Sequence, residues 1–98
     1  MEKKDVGKRE RSRRTDFNYS NVSKSFMMII SLIVEEPDKV ECVVHESASS
    51  IIYEIYVSEN DYGKIIGKGG AMARALRQIM RAIAGNFDKR LILEFSHK

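Results

Sequence analysis

Three glycines within four positions form the segment of this chain that is best suited to binding a ligand. The segment is Gly67-Lys68-Gly69-Gly70, and residues 71–84 after it have the apolar pattern of a helix. Glycine lets a backbone turn sharply and lie close to a ligand, because no Cβ blocks the approach and positive φ carries no steric penalty. A helix that begins directly after such a loop presents unpaired N–H groups and the positive end of its dipole. The segment therefore predicts an anion site suited to phosphate, with Lys68 as an additional cation.

Two better-known glycine motifs do not fit this segment. A Walker loop has four residues between its first glycine and its Gly-Lys pair, which Ser or Thr follows. Here Gly63 and Gly67 enclose three residues, and Gly69 follows Lys68. A dinucleotide fingerprint would need a glycine where Met72 stands. The interpretation that remains is a loop that holds the sugar-phosphate backbone of a nucleic acid.

Basic side chains on both sides of the loop extend this site. Lys64 lies one helical turn before Lys68, and Arg74 falls in about the first turn of the following helix, so both are placed to reach a phosphate at the loop. Arg77 is a more distant candidate. Arg81 is one turn further, and we expect it to pair with an acid or with solvent.

The pattern Ile66-Gly67-x-x-Gly70 between two short helices resembles the KH domain, whose GXXG loop clamps about four backbone nucleotides of single-stranded RNA. From about residue 22 to 95, the expected order α-β-β-α-α-β resembles the type II KH domain, an α+β fold in which helices pack on one face of a three-stranded sheet. The segments E-E-P-D-K-V (35–40) and N-D-Y-G-K-I-I-G-K-G-G (60–70) resemble the KhpA family of small, single-domain bacterial KH proteins.

This resemblance implies a function, a set of contacts and partners. Single-stranded RNA would be bound with low sequence specificity, in the manner of a post-transcriptional regulator or RNA chaperone linked to cell elongation and division. The amides of Lys68, Gly69 and Gly70 would grip phosphate while bases lie in an aliphatic groove that Ile66 helps to floor. The implied partners are a second copy of the chain or a KhpB-like protein, also called Jag or EloR. The full set of expected RNA-binding residues is Lys64, Ile66, Gly67, Lys68, Gly69, Gly70, Arg74 and Arg77.

One position departs from the family pattern. KhpA-like loops usually carry a polar residue where this chain has Gly69, so we expect a looser loop that lacks one hydrogen-bonding side chain. The affinity of one domain should be weak, which favours self-association or a partner, since joining two sites raises avidity.

Length and composition limit the alternatives. Ninety-eight residues form one domain, the single cysteine Cys42 allows no intrachain disulfide, and no secretory signal is present, so a cytoplasmic protein is expected. The apolar run 26–34 is too short to span a membrane. Cys42 and His45 would lie on opposite faces of a strand, which argues against a metal pair. No catalytic set accompanies the loop, so we expect no enzyme activity, no cofactor and no small-molecule substrate.

Charge is distributed unevenly along the chain. Residues 1–16 hold seven Lys or Arg against four acids, and we expect residues 1–20 to form a disordered basic tail ahead of a domain over 21–98. Residues 35–61 have eight acids and one base, whereas 62–90 have seven bases and one acid. Positive charge around the loop attracts a polyanion, and acid elsewhere discourages binding at the wrong surface.

Apolar periodicity predicts the elements that position the loop. A helix should begin at about residue 21 or 22 and end at Glu35 because of Pro37, with a buried stripe of Val22, Phe26, Ile29, Ile30 and Ile33. Strands are expected over 40–46, with Val40, Cys42 and Val44 inward, and over 51–58, with Ile51, Tyr53, Ile55 and Val57 inward. A short helix over about 60–65, capped by residues 59–61, should deliver the loop. The helix over 71–84 should bury Met72, Leu76, Ile79, Met80 and Ile83, and the last strand Leu91, Leu93 and Phe95.

Some apolar residues fall outside these stripes. Met27, Met28 and Leu32 indicate either burial of the first helix on more than one side or a partner surface, and we expect partial burial. An outer sheet face should carry Val43, Ile52 and Ile92. We also expect Gly85 to end the 71–84 helix in the left-handed conformation.

Two other functions compete with RNA binding. In the first, the fold is a protein-interaction module whose surfaces serve dimerisation and whose glycine loop is vestigial; the presence of Lys68 argues against it. In the second, the ligand is single-stranded DNA, because a clamp on phosphate takes little notice of the 2′-hydroxyl.

Overall fold

The elements occur in the predicted order. The computed structural model describes residues 18–98; residues 1–17, which hold most of the expected tail, lie outside the described part. The order α-β-β-α-α-β and the α+β class are confirmed. No helix within 18–98 is both long and apolar enough to cross a membrane. The elements are α1 (Tyr19–Ile33), a 3-10 turn (Pro37–Lys39), β1 (Glu41–Glu46), β2 (Ser50–Val57), α2 (Glu59–Ile66), a 3-10 turn (Lys68–Gly70), α3 (Ala71–Ala84) and β3 (Arg90–His97).

The three strands form one mixed sheet with β2 in the middle. β1 runs antiparallel to β2 through a tight hairpin, in which the Ser47 amide donates to the Ser50 carbonyl at 2.8 Å. β3 runs parallel to β2, because α2, the loop and α3 form the crossover between them. The glycine loop is therefore carried at the turning point of a βααβ unit.

One face of the sheet is apolar and helix-covered. The inward residues of β2 and β3 alternate as predicted, and all seven are buried: Ile51, Tyr53, Ile55, Val57, Leu91, Leu93 and Phe95. Among the helices, α3 packs against β3 and α1 packs against β1. The core lies between these two layers, as the strand period of two requires.

The first helix begins earlier than predicted, at Tyr19 instead of residue 21 or 22. Asn18 caps it, since its side-chain oxygen accepts from the Asn21 amide at 2.8 Å. Tertiary contacts hold the added turn: the Tyr53 hydroxyl donates to the Tyr19 carbonyl at 3.1 Å, and the Tyr19 ring lies 4.9 Å from that of Phe87. Burial raises the pKa of Tyr53 to about 12, which keeps this hydroxyl protonated. The local sequence pattern around residue 19 does not show these contacts with distant residues.

The same helix ends two residues before the predicted Glu35. A buried carboxylate, Asp61, accepts from the amides of Glu35 and Glu36, both at 3.0 Å, and draws this segment out of the helix ahead of Pro37. Ser58 completes the arrangement, because its hydroxyl donates to Asp61 at 3.1 Å. The end of α1 is thereby tied to the start of α2.

Several apolar residues are more exposed than predicted. On α1, Met28 and Leu32 are 68% and 82% exposed, which contradicts their expected partial burial, whereas Met27 packs against the core. Ile29, Val44 and Ile79 are also exposed, although each was assigned to a buried stripe. On α3, Ala73 is buried instead of Ile79.

The exposure of Val44 on the strand and the exposure of the helix residues have different physical reasons. β1 is an edge strand, so Val44 has no neighbouring strand on one side. The buried arc of each helix is narrower than a stripe drawn from hydrophobicity alone, because each helix contacts the sheet along one line.

Two smaller expectations have different outcomes. On the outer sheet face Ile52 is the register partner of Ile92, whereas Val43 pairs with Glu54 and lies only diagonally from Ile52. Gly85 does not adopt the left-handed conformation; its φ of −62° and ψ of −15° continue the right-handed geometry. The prediction for Gly85 is therefore wrong, because the chain leaves α3 through further turns that need no positive φ.

Replacing Asp61 with Asn should lower the melting temperature and reduce its dependence on acid. Hydrogen bonds from the Glu35 and Glu36 amides hold the pKa of Asp61 below its ordinary value, against the opposing effect of burial. A depressed pKa adds stability that is complete at neutral pH and is lost as the pH falls below about 4. Thermal melts from pH 7 down to pH 3 measure the effect, with Asp38→Asn, an exposed acid of the same connection, as the control. Equal acid sensitivity in Asp61→Asn and the unmodified chain would contradict this role.

Candidate nucleic-acid interface

The helix before the loop is fixed at both ends. Ser58, not residues 59–61, is its cap: the Ser58 hydroxyl accepts from the Asp61 amide at 3.2 Å, and α2 begins at Glu59. Ile65 is fully buried, and Ile66 is half-buried against the core. The loop therefore leaves a helix that cannot rotate without exposing Ile65.

Gly67 is required by both conformation and space. Its φ of 80° and ψ of 169° lie in a region that only glycine occupies readily. A Cβ on Gly67 would lie 2.7 Å from the amide nitrogen and 2.8 Å from the Cβ of Met72. The absence of a side chain lets the loop close directly onto the first turn of α3.

Gly69 and Gly70 also have positive φ, at 61° and 79°, but they differ in their surroundings. No atom lies within 4 Å of the position of a Cβ on Gly69. A Cβ on Gly70 would lie 3.3 Å from Nη1 of Arg74. The tip of the loop is therefore open to solvent at Gly69 and closed on the helix side at Gly70.

Hydrogen bonds inside the loop use one of the three amides that were expected to bind a ligand, that of Gly70. The Gly67 amide donates to Gly63 at 2.8 Å, and the Gly70 amide donates to Gly67 at 3.0 Å. The Ala71 amide donates to the Lys68 carbonyl. The expectation for Gly70 is thus corrected, because its N–H closes the 3-10 turn. The amides of Lys68 and Gly69 are the donors that the site hypothesis still requires.

Arg74 lies across the loop. Its Nη1 donates to the Gly69 carbonyl at 2.8 Å, although the two residues are five positions apart. The contact holds a guanidinium beside the tip and braces a segment with three positive-φ residues. Arg74 is therefore brought to the loop, as predicted from its place in the first turns of the helix.

The two lysines of the predicted site occupy different positions. Lys68 is exposed within the loop itself. Lys64 stands on α2, with its ammonium 3.9 Å from the Glu35 carboxylate; both side chains are largely exposed. Such an exposed pair contributes little, so it leaves Lys64 available to another anion.

Arg77 contacts the last strand, β3. Its Nε donates to the Leu93 carbonyl at 3.0 Å, and its Cζ lies 5.6 Å from the centre of the Phe95 ring. The structure therefore places Arg77 on the outer edge of β3 and does not bring it together with Lys68 and Arg74.

A groove continues from this point along α3 and the edge of β3, with a volume of about 460 Å³. Two arginines that were not assigned to the site, Arg81 and Arg90, line it. Arg81 donates to the side chain of Gln78, not to an acid. The spacing of Arg77 and Arg81, about one helical turn apart, was a sequence signal for this groove. Its lining is Arg77, Met80, Arg81, Ala84, Arg90, Leu91, Ile92, Leu93 and Glu94.

Acidic side chains gather on the outer face of the sheet. Glu54 accepts from the ring of His45 at 3.0 Å and from the Ser96 hydroxyl at 2.9 Å. These hydrogen bonds lower the pKa of Glu54, so that it carries negative charge at neutral pH. Glu41 and Glu94 share this face by register. The outer face therefore repels phosphate, while the loop and the α3–β3 groove carry the cations.

A GXXG loop between two helices, in the order α-β-β-α-α-β, defines the class of type II KH domains. Residues 26–95 match the family described as KhpA/KhpB, KH domain. A relative named "RNA-binding protein KhpA" from Borreliella burgdorferi is 38% identical over 76 residues, which are 78% of this chain and 93% of the relative. Relatives with the same name from Listeria monocytogenes and Aquifex aeolicus are 34% and 40% identical, over 69% and 63% of this chain and 90% and 78% of theirs. No solved structure matches the chain significantly. The chain belongs to the KhpA family.

Replacing Gly67 with Ala should destabilise the fold by about 2 kcal/mol, because it combines an unfavourable backbone region with a clash against Met72. Gly69→Asn should cost less than about 1 kcal/mol, since the space around Gly69 is open and Asn tolerates the left-handed region. Urea denaturation measures both. Equal losses of stability would show that Gly67 is not the tight position.

Proposed function

We propose that this protein binds single-stranded RNA through the loop of residues 67–70, with low sequence specificity and without catalysis. The observation that carries the proposal is the exposed, glycine-built loop at the N-terminus of α3. Gly67 packs against Met72, while Lys68 and Arg74 place two cations at the tip. This arrangement suits a phosphate group, because the N-terminal end of a helix favours negative charge.

The binding mechanism follows from what the loop offers. The amides of Lys68 and Gly69 donate to phosphate oxygens, and the ammonium of Lys68 and the guanidinium of Arg74 add charge. Because these contacts address the backbone, they position the strand without reading its bases. Ile66 supplies apolar surface beside the loop for base contacts, and Lys64 gives a further phosphate contact.

A longer strand would continue along the groove between α3 and β3. Three arginines, Arg77, Arg81 and Arg90, line this groove together with Leu and Ile side chains. Single-stranded nucleic acid is commonly held in this way, by cations that follow the backbone and apolar surface that meets the bases.

The names of the relatives agree with this proposal, since three of them are called RNA-binding proteins. We extend it to the cell: a cytoplasmic post-transcriptional regulator or RNA chaperone that acts in cell elongation and division. It would work as a homodimer or together with a KhpB-like protein. The competing function, an interaction module with a vestigial loop, is favoured by the exposed Met28 and Leu32, but it gives Lys68 and Arg74 no role at the loop.

The double replacement Lys68→Asp/Gly69→Asp should weaken RNA binding by about a hundredfold, because two carboxylates would then face the phosphate. Stability should change by less than about 1 kcal/mol, since both side chains would be exposed and Asp tolerates the left-handed region. Fluorescence anisotropy with a single-stranded RNA measures binding, and thermal melts measure stability. Lys39→Asp/Ala48→Asp gives the same change in net charge far from the loop, and it should bind nearly normally. Equal losses in the two variants would remove the loop from the mechanism.

Arg81→Gln/Arg90→Gln should reduce affinity for RNA of about twelve nucleotides while leaving a four-nucleotide RNA unaffected. Removing two phosphate contacts should lower the slope of log K against log salt by about 1.4 for a single strand. Lys39→Gln/Lys98→Gln removes the same charge elsewhere and should keep the slope. An unchanged slope in the arginine variant would show that the groove does not carry the strand.

A further inference from the structure

Residues 68–71 form a β-turn of type I′ at the tip of the loop. The Ala71 amide donates to the Lys68 carbonyl, which closes the turn. The two central residues are Gly69, with φ of 61° and ψ of 20°, and Gly70, with φ of 79° and ψ of 13°. The type I′ values are about 60° and 30° for the first central residue and about 90° and 0° for the second. The loop of the proposed RNA site therefore has a defined turn type.

The peptide unit between Gly69 and Gly70 is held at both ends. Its N–H, that of Gly70, donates to the Gly67 carbonyl at 3.0 Å. Its carbonyl, that of Gly69, accepts from Nη1 of Arg74 at 2.8 Å. The unit therefore presents a carbonyl oxygen, which carries partial negative charge, to the guanidinium of Arg74. A phosphate that approached this guanidinium would be repelled by that oxygen.

The two central glycines allow this peptide unit to flip. Rotation of the unit by about 180° converts a type I′ turn into a type II′ turn, which keeps the hydrogen bond that closes the turn. Type II′ has positive φ at the first central position only, and glycine is the residue found there. A type I′ turn accepts Asn at that position, and no atom lies within 4 Å of a Cβ on Gly69. Glycine at 69 is therefore needed by a type II′ turn and not by the type I′ turn of the structure.

We propose that phosphate binding flips the Gly69–Gly70 peptide unit and that Arg74 controls the flip. In the free protein, Arg74 holds the type I′ turn through the Gly69 carbonyl. When phosphate binds, one of its oxygens takes the place of that carbonyl beside the guanidinium, and the Gly70 N–H turns outward to donate to the same phosphate. The proposal rests on the proposed function and deepens it, because it adds a donor to the site and makes Arg74 a positioning residue.

The exchange of hydrogen bonds favours the flip only when an anion is present. The flip breaks the bonds that the Gly67 and Gly69 carbonyls accept from Gly70 and Arg74. The same two donors then bond to phosphate, where the amide gains an ionised acceptor and the guanidinium gains an ion pair, and such charge-assisted bonds are the stronger ones. Without phosphate, both carbonyls would exchange their donors for water alone. The type I′ turn is therefore the state of the free protein.

The free protein tests the role of Arg74 without RNA. Amide hydrogen exchange of the full chain, followed by NMR, reports on each donor separately. Arg74→Lys keeps the charge but loses the planar fork that reaches the Gly69 carbonyl, so the Gly70 amide should exchange about tenfold faster. The Ala71 amide should be unchanged, because both turn types retain its bond to Lys68. Unchanged exchange at Gly70, or equal acceleration at Ala71, would overturn the proposal.

Substitutions at the two central glycines favour opposite turns. Gly69→Asn suits type I′ and excludes type II′, so single-stranded RNA should bind at least about tenfold more weakly in fluorescence anisotropy. Gly70→Ala disfavours type I′, because φ is positive there and the added Cβ would lie 3.3 Å from Nη1 of Arg74. This variant should bind RNA at least as tightly as the unmodified chain. Gly63→Ala, on α2 with open surroundings, is the control and should leave binding unchanged.

The outcomes separate this proposal from the proposed function. If Lys68→Asp/Gly69→Asp abolishes RNA binding but Gly69→Asn binds normally, or if Gly70→Ala binds more weakly than Gly69→Asn, the loop remains the RNA site and the flip is overturned. If Lys68→Asp/Gly69→Asp binds RNA normally, the proposed function fails, and inorganic phosphate alone then decides the flip. Phosphate should shift the NMR resonance of the Gly70 amide in the unmodified chain and not in Gly69→Asn. A shift in both proteins, or in neither, would overturn the proposal.

Discussion

The buried carboxylate of Asp61 is the interaction on which the frame of this molecule depends. A charge that is 3% exposed is tolerated only when its oxygens are fully engaged, and here two backbone amides and a hydroxyl engage them. The partners come from the segment after α1 and from the residue after β2, while Asp61 itself lies in the first turn of α2. One side chain therefore fixes where α1 ends, where β2 gives way to α2 and the direction in which α2 approaches the loop.

The contacts of Asp61 also fix the position of the loop. α2 is held at its start by Asp61 and along its length by the buried Ile65, so Gly67 emerges at a fixed point over α3. The contact of Gly67 with Met72 then closes the turn, and the Arg74–Gly69 hydrogen bond braces its tip. Under the proposed function, stability and binding would both depend on Gly67, because this residue permits the tight closure that places Lys68 and Gly69 at the tip.

Local rules predicted most of the fold and the conformation-bearing glycines of the loop. The sequence predicted the alternation in β2 and β3 because a strand with one buried face has apolar residues at every second position. It predicted the bounds of α3 because a helix with one buried face has apolar residues with a period near 3.6. The errors share a cause, which is that a distant residue decided a local question. Tyr53 extended the start of α1, Asp61 cut its end, and the Leu93 carbonyl drew Arg77 from the loop. The exposure of Val44 followed from its strand being at the edge, which the pattern of one strand does not show.

The open surroundings of Gly69 bear on the affinity that the proposed RNA site would have. No neighbouring atom excludes a side chain there, although the positive φ favours glycine. Glycine also loses more backbone freedom than other residues when a ligand orders the loop. Under the proposed function, Gly69 would offer no side chain for a hydrogen bond with RNA, so one loop would hold the strand through a few amides and two cations. A strand held by two loops needs only a modest affinity at each, because the second contact forms at high effective concentration.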